Sequence, residues 1–133
     1  DLIVSAIQKA EMQTSGEIRV HIDQKCASDP VKRAVKVFEK LGMHKTDLRN
    51  GVLIYVSFSD RKLAIIGDQG IDAVVPADFW VSTKDQMIHC FKENRFSDGI
   101  IAAITEAGMQ LKSFFPYMEN DENELSNEIS TEA

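Results

Sequence analysis

The pattern of apolar and polar positions divides most of the chain into alternating helices and strands. Apolar residues at helical spacing predict a helix over about residues 1–13, which the Thr14-Ser15-Gly16 run ends. From Glu17 to Asp23 apolar and polar residues alternate, and this predicts a first strand with one apolar and one polar side. A second helix is predicted to begin at Asp29-Pro30, because Asp can accept from free N–H groups and Pro at the first position sacrifices none.

The segment Val52–Val56 is apolar on both faces, which is typical of a central strand covered by helices on each side. A helix separates it from the first strand, so we expect a right-handed crossover and parallel pairing of the two strands. The short polar run 58–62 is followed at once by Leu63–Ile66. This predicts a hairpin whose third strand runs antiparallel to the second.

The remainder of the ordered chain is predicted to be mainly helical. A short apolar piece at 71–75 is broken by Pro76. Two helices then follow, over about residues 83–94 and 98–115. The predicted N-terminal caps are Ser82, in a capping box with Asp85, and Ser97.

These elements predict one α/β domain over residues 1–118, folded as a three-layer αβα sandwich around a small mixed sheet. Residues 119–133 hold six of the 21 acidic residues and no Lys or Arg, and they contain few apolar side chains. We therefore expect a disordered acidic tail there.

The rest of the chain is electrically neutral, with 15 acidic and 15 basic residues. A neutral body without a clustered basic face gives nucleic acid or an anionic membrane little to bind, so neither is an expected partner. No apolar run approaches the roughly 20 residues that a membrane span needs.

The cysteines and the N-terminal sequence bear on the cellular compartment. Cys26 and Cys90 show no C-x-x-C spacing and cannot form a disulfide framework, so we interpret them as ordinary thiols. No signal peptide is visible, and we expect a cytoplasmic location. The first residue is Asp1 and not Met, which leaves a preceding leader or anchor as an open alternative.

The candidate chemistry lies at one end of the predicted sheet. If the first two strands are parallel and the third returns, the starts of strands one and two and the end of strand three meet there. Carboxylates gathered in one place repel one another unless a cation lies among them. Oxygen ligands without His or Cys favour Ca²⁺, or Mg²⁺, over Zn²⁺. The predicted ligands are Glu17, Asp47, Asn50, Asp68, Asp72 and, in second place, Asp78.

A second interpretation of the same residues needs no metal. Arg49 and Lys45 can neutralise the acidic side chains, while Asp47 and Asp68 bond their own loops as Asp commonly does in turns. The segment 68–72 does not match an EF-hand loop, which would require a ladder of acids and a distal Glu. Both interpretations stay open at the level of sequence.

Several segments together resemble the TPM domain family, over about residues 1–115. They are Thr14–Val20, Asn50–Val56, Asp60–Ile71 and Phe91–Ile101. The resemblance implies an αβα sandwich and, for function, several possibilities. Some plant members are associated with acid phosphatase activity and photosystem repair, others are membrane-anchored accessory proteins, and divalent metal binding is known among them. The chain looks like a stand-alone version without the apolar C-terminal anchor.

We therefore expect a metal-binding regulatory or scaffolding module rather than an enzyme, with the ion between loops 43–50 and 67–78. One alternative is a metal-dependent acid phosphatase acting on phosphomonoesters, with metal ions on Asp68, Asp72 and Asp47. A further alternative is an adaptor that binds an unidentified protein without metal through Trp80.

Three histidines complete the set of candidate groups. His21, His44 and His89 share no metal or catalytic-triad spacing and are expected to be surface or partly buried residues.

Overall fold

The computed structural model describes residues 1–118 and 129–132. Within them a four-stranded mixed sheet has the strand order β3-β2-β1-β4. In chain order the elements are α1 (Leu2–Glu11), β1 (Glu17–Asp23), α2 (Pro30–Lys40), β2 (Gly51–Ser57), β3 (Lys62–Gly67), α3 (Gln69–Asp72), α4 (Val81–Lys92), α5 (Phe96–Leu111) and β4 (Ser130–Glu132).

Strand β2 is the central strand that its sequence predicts. All seven of its residues are buried. It pairs in parallel with β1, where Glu17 lies opposite Gly51, and antiparallel with β3, where Val52 lies opposite Gly67. The predicted directions of the first three strands are therefore confirmed.

Helices cover both faces of the sheet, so the predicted αβα sandwich is confirmed. The alternate apolar residues of β1 and β2 face α1, α4 and α5, which form the larger core. On the opposite face α2 packs over β2 and β3 and encloses a smaller core around Phe38, Met43 and Tyr55. In the described part of the chain, no helix has the length and apolarity needed to cross a membrane.

The Asp29 cap is confirmed, and the two serine caps are wrong. The Asp29 carboxylate accepts from Val31 N at 2.8 Å at the start of α2. Helices α4 and α5 begin after Trp80 and Arg95, and neither has a side-chain cap. Because both helices start earlier than predicted, Ser82 and Ser97 lie inside the first turn. The Ser82 hydroxyl donates to Glu106 Oε1 at 2.5 Å instead.

The prediction of disorder is wrong for the residues that form β4. Ser130–Glu132 pairs in parallel with His21–Asp23, and Ile129 packs against the larger core. The edge of β1 offers backbone hydrogen-bonding groups to any extended segment, and composition alone does not reveal that. Residues 119–128 and 133, the rest of the predicted tail, lie outside the described residues.

Close packing against the backbone of the neighbouring loop requires a glycine at position 70. Gly42, whose backbone is left-handed, provides a comparison that isolates the cost of backbone strain. A Cβ at Gly70 would lie 2.2 Å from the Leu48 carbonyl oxygen, whereas Gly42 has φ +69° and a Cβ there would make only ordinary van der Waals contact with the Lys45 side chain. We predict that Gly70→Ala lowers the free energy of unfolding by about 3 kcal/mol, and Gly42→Ala by about 1 kcal/mol. Urea unfolding followed by circular dichroism measures both. Equal losses in the two variants would show that the two loops move apart to admit the Cβ and that crowding at Gly70 costs little.

Candidate functional site

The sheet edge singled out by the sequence exists. At the start of β1 the Glu17 amide donates to the Asn50 carbonyl at 3.2 Å, and at the end of β3 the Asp68 amide donates to the Gly51 carbonyl at 2.9 Å. Residues from three separated stretches thus meet at one end of the sheet. The predicted convergence follows from the observed strand directions and is confirmed.

The loops 43–50 and 67–78 touch each other directly. The Gly70 amide donates to the Arg49 carbonyl at 2.8 Å, and the missing Cβ of Gly70 permits this approach. Arg49 itself has φ +51°, a left-handed conformation that a non-glycine residue adopts at a cost. The contact therefore holds the Arg49 backbone in a conformation that an isolated loop would disfavour.

Arg49 and Asp68 form a two-point ion pair across the contact between the loops. Arg49 Nε donates to Asp68 Oδ2 at 2.7 Å and Nη2 donates to Oδ1 at 2.8 Å. The Asp68 carboxylate also accepts from the Gln69 amide at 2.8 Å and caps α3. The hydrogen bonds to Asp68 raise the pKa of Arg49. At Asp68 the structure therefore agrees with the metal-free interpretation, in which Arg49 neutralises the carboxylate.

The six predicted ligands divide into a buried and an exposed set. Glu17, Asn50 and Asp68 are buried, with 3%, 1% and 6% of their surface exposed. Asp47, Asp72 and Asp78 are exposed on the two loops. Within residues 1–118 and 129–132, no three His, Cys, Asp or Glu side chains are grouped as a metal site.

Two observations bear on whether a cation would fit these loops. Partial burial of the Asp72 carboxyl group raises its pKa, and the charge of Asp68 raises it further, although the residue as a whole is exposed. Beside Asp47, the Thr46 hydroxyl is buried without a hydrogen-bond partner in the described part of the chain. A hydroxyl oxygen without a partner, on the loop that carries Asp47, can serve as a ligand of a hard cation. The residues fit such an ion in chemistry, although they are not grouped as a preformed cage.

A cavity of about 460 Å³ opens beside the ion pair, between the two loops and α2. Its lining combines apolar side chains from α2 and β3 with the polar groups of both loops. The lining residues are Val35, Phe38, Glu39, His44, Arg49, Ile66, Asp68 and Gln69.

The opposite end of the sheet holds a polar cluster that sequence analysis missed. We call His21, Asp23, Arg33, Tyr55 and Ser130 the His21 cluster. His21 Nε2 lies 2.7 Å from Asp23 Oδ1, and its Nδ1 lies 3.0 Å from Ser130 Oγ. Tyr55 donates to Asp23 Oδ2 at 2.6 Å, and Arg33 Nε donates to the same oxygen at 2.8 Å.

His21, Asp23 and Tyr55 of the His21 cluster are buried, contrary to the expectation that His21 is a surface or partly buried residue. His21 is 2% exposed and its ring stacks on Tyr55, with ring centroids 5.9 Å apart. Burial raises the pKa of Asp23, but hydrogen bonds from Arg33, Tyr55 and His21 outweigh it and lower the pKa to about 2. Burial, and then Asp23, raise the pKa of Tyr55. Asp23 is therefore a carboxylate held in its charged form by three donors.

The alternation in β1 was the available signal for this cluster. It assigns Glu17, His21 and Asp23 to one face, and period two cannot tell a solvent face from a buried polar face. Trp80, the anchor of the adaptor alternative, is half-buried against the larger core and meets Phe79 edge to face at 4.7 Å. Trp80 and Phe79 therefore help to close the larger core.

The depressed pKa of Asp23 predicts a specific acid dependence of stability. A carboxyl group with a folded pKa of about 2 and an ordinary value of 3.8 stabilises the fold above about pH 4 and loses that contribution as the pH falls towards 2. We predict that Asp23→Asn is less stable than wild type by about 2 kcal/mol at pH 7. The difference should shrink towards zero at pH 2, because protonated Asp23 resembles Asn. Urea unfolding at pH 2, 4 and 7 measures it.

The exposed carboxylate of Asp85 on α4 provides the control for this measurement. Asp85→Asn should keep the acid dependence of wild type. If Asp23→Asn loses as much stability between pH 4 and pH 2 as wild type does, the hydrogen bonds to Asp23 do not stabilise its charged form.

Comparisons with known proteins agree with this architecture. The family model described as the TPM domain matches residues 1–110. The NMR structure of the BA42 protein from the psychrophilic bacterium Bizionia argentinensis is similar, with a TM-score of 0.91 and 45% sequence identity. The match covers 98% of this chain and 90% of that chain. No curated protein sequence matches. The family match over residues 1–110 and the 45% identity to this structural relative show that the chain belongs to the TPM domain family.

Proposed function

We propose that this TPM domain is a regulatory or scaffolding module that binds a divalent cation between loops 43–50 and 67–78, with Ca²⁺ preferred over Mg²⁺. The observation that supports the proposal is the contact between the two loops, which brings Asp68 and Asp72 against the loop that carries Asp47. Arg49 pairs with Asp68, while burial and, after it, the charge of Asp68 raise the pKa of Asp72. A cation beside Asp72 would relieve that repulsion.

The six candidate ligands differ in how they would take part. Asp47 and Asp72 are exposed and are free to turn towards an ion, whereas both oxygens of Asp68 already accept hydrogen bonds. We assign the first contacts to the exposed pair, followed by the lone pairs of Asp68 that Arg49 leaves open. Glu17 and Asn50, which are buried at the starts of β1 and β2, would supply the remaining ligands from the side of the sheet. Asp78, further along the exposed loop, is the outermost candidate.

The irregular loops favour the larger ion. Ca²⁺ accepts six to eight oxygen ligands in flexible geometry, while Mg²⁺ demands a near-ideal octahedron and retains its water. Because no cage is preformed in the described residues, the affinity should be low, with a dissociation constant on the order of 10⁻⁴ to 10⁻³ M.

Such an ion would act by ordering the two loops. They already meet through the hydrogen bond between Gly70 and Arg49, and an ion shared by Asp47 and Asp72 would add a second link. The cation would thereby determine the shape of the surface that these loops present to a partner.

Two substitutions should shift the affinity for Ca²⁺ in opposite directions. Asp72→Asn removes a ligand and should weaken binding at least tenfold. Arg49→Gln frees the Asp68 carboxylate from its internal cation and should tighten binding several-fold. Calcium titration followed by amide NMR on the full chain measures both, with shifts expected at residues 43–50 and 67–78. Asp85→Asn serves as the control, because it removes an acidic side chain from helix α4 and not from the loops, and it should bind Ca²⁺ as wild type does.

The direction of the Arg49→Gln effect makes the experiment decisive. Weaker binding in that variant would mean that Arg49 supports the site and does not compete with the ion. A wild-type titration without shifts in either loop at 10 mM Ca²⁺ would reject the proposal, since that concentration is about ten times the weakest affinity expected.

A metal-dependent phosphatase is the second candidate, and one observation favours it. The guanidinium of Arg49 lines the 460 Å³ cavity next to the acidic loop, where it could face a phosphoryl oxygen. Hydrolysis of p-nitrophenyl phosphate that requires Mg²⁺ and disappears in Asp68→Ala would support the enzyme. Calcium-induced shifts without any turnover would support the binding module alone.

A further inference from the structure

The outer edge of β1 is occupied over only part of its length. Strand β1 has seven residues, and β4 pairs with the last three of them, His21–Asp23. An unpaired strand edge is a template for any extended segment that can continue the hydrogen-bonded ladder. In this structure the segment comes from residues 129–132 of the same chain.

The His21 ring fixes which side chain can sit opposite it. The Asp23 carboxylate accepts hydrogen bonds from Tyr55 and Arg33 and faces His21 Nε2 at 2.7 Å, so Nε2 is the ring nitrogen that carries a proton. In the neutral ring Nδ1 is then an acceptor and in the protonated ring it is a donor, and in both it lies 3.0 Å from Ser130 Oγ. A hydroxyl group can donate or accept, so it fits either form of the ring.

The two neighbours of Ser130 contribute differently to docking. Ile129 is half-buried and packs against the larger core, so it anchors the segment through its apolar side chain. Thr131 is exposed, so its hydroxyl is not needed for the fit. An apolar residue followed by a hydroxyl residue is thus the pattern that this edge recognises.

We propose that the β1 edge at His21–Asp23 is a strand-accepting peptide site that the chain's own residues 129–132 occupy, and that it selects a hydroxyl side chain opposite His21. The site lies at the other end of the sheet from the two loops of the proposed cation site and does not depend on them. Its occupant is held by three residue pairs, one apolar anchor and one side-chain hydrogen bond. A ladder this short exchanges readily with an added peptide of the same pattern.

Substitutions at Ser130 test the selection within the full chain. Ser130→Ala leaves His21 Nδ1 without its hydrogen-bond partner, and amide exchange of residues 130–132 should become at least tenfold faster. Ser130→Thr restores a hydroxyl and should stay within twofold of wild type. Thr131→Val removes a hydroxyl from the exposed position and should also stay within twofold. Amide hydrogen exchange by NMR measures all three, and unchanged exchange in α5 shows that each variant is folded.

A peptide added in trans tests the site itself. The heptapeptide Asn-Glu-Ile-Ser-Thr-Glu-Ala, the sequence of residues 127–133, should shift the amide signals of His21–Asp23 in labelled Ser130→Ala protein. The same peptide with Ala in place of its Ser should bind at least tenfold more weakly. Wild-type protein should also bind the heptapeptide at least tenfold more weakly than Ser130→Ala does, because its own segment competes.

Three results would overturn the proposal. Equal exchange in Ser130→Ala and wild type would show that the hydroxyl is irrelevant to docking. Equal affinity of the two peptides would show that the edge does not select the side chain. Protection of residues 130–132 that rises with protein concentration would mean that a second copy, not the same chain, supplies the strand.

Discussion

The arrangement of the domain depends on the burial of β2 between two unlike neighbours. A strand that is buried on both faces and hydrogen-bonded on both sides leaves its partners no freedom of register, since a one-residue slip would turn every side chain of the partner to the wrong core. The parallel partner and the antiparallel partner together bring the starts of β1 and β2 to the end of β3. Both loops of the proposed cation site owe their contact to this constraint.

The carboxylates at the two ends of the sheet differ in how fully internal hydrogen bonds and ion pairs neutralise them. At one end Arg49 neutralises Asp68, while burial and, after it, the charge of Asp68 raise the pKa of Asp72. At the other end three donors surround Asp23 and hold its pKa near 2. A carboxylate that is fully satisfied by internal donors stabilises the fold, whereas one with charge to spare can bind a ligand from solution.

Most of the fold was predictable because long segments carry clear periodicity. The helical spacing of α1 and α2 and the unbroken apolar run of β2 each fit one kind of element. The errors arise where the signal is short or tertiary. Three residues of β4 have no measurable period, and their partner His21 lies 109 positions away from Ser130. The serine caps failed because helices α4 and α5 start a few residues before the caps that were chosen for them.

The site was predictable in its location and less so in its contacts. Strand directions placed Glu17, Asn50 and Asp68 at one edge, but pairing of Asp68 with Arg49, rather than with an ion, depends on a left-handed turn at Arg49 that sequence does not announce. The His21 cluster escaped notice because alternation identifies faces without saying what covers them.

The unequal size of the two cores implies a hierarchy of local opening. Among the described residues, 17 buried apolar side chains join α1, α4 and α5 to the sheet, but only eight lie on the side of α2. Segments with less buried apolar area open at lower free energy than the rest of a domain. Fluctuations that lift α2 therefore precede global unfolding, and since Met43 belongs to that smaller core, they also loosen the start of the loop that carries Asp47 and Arg49.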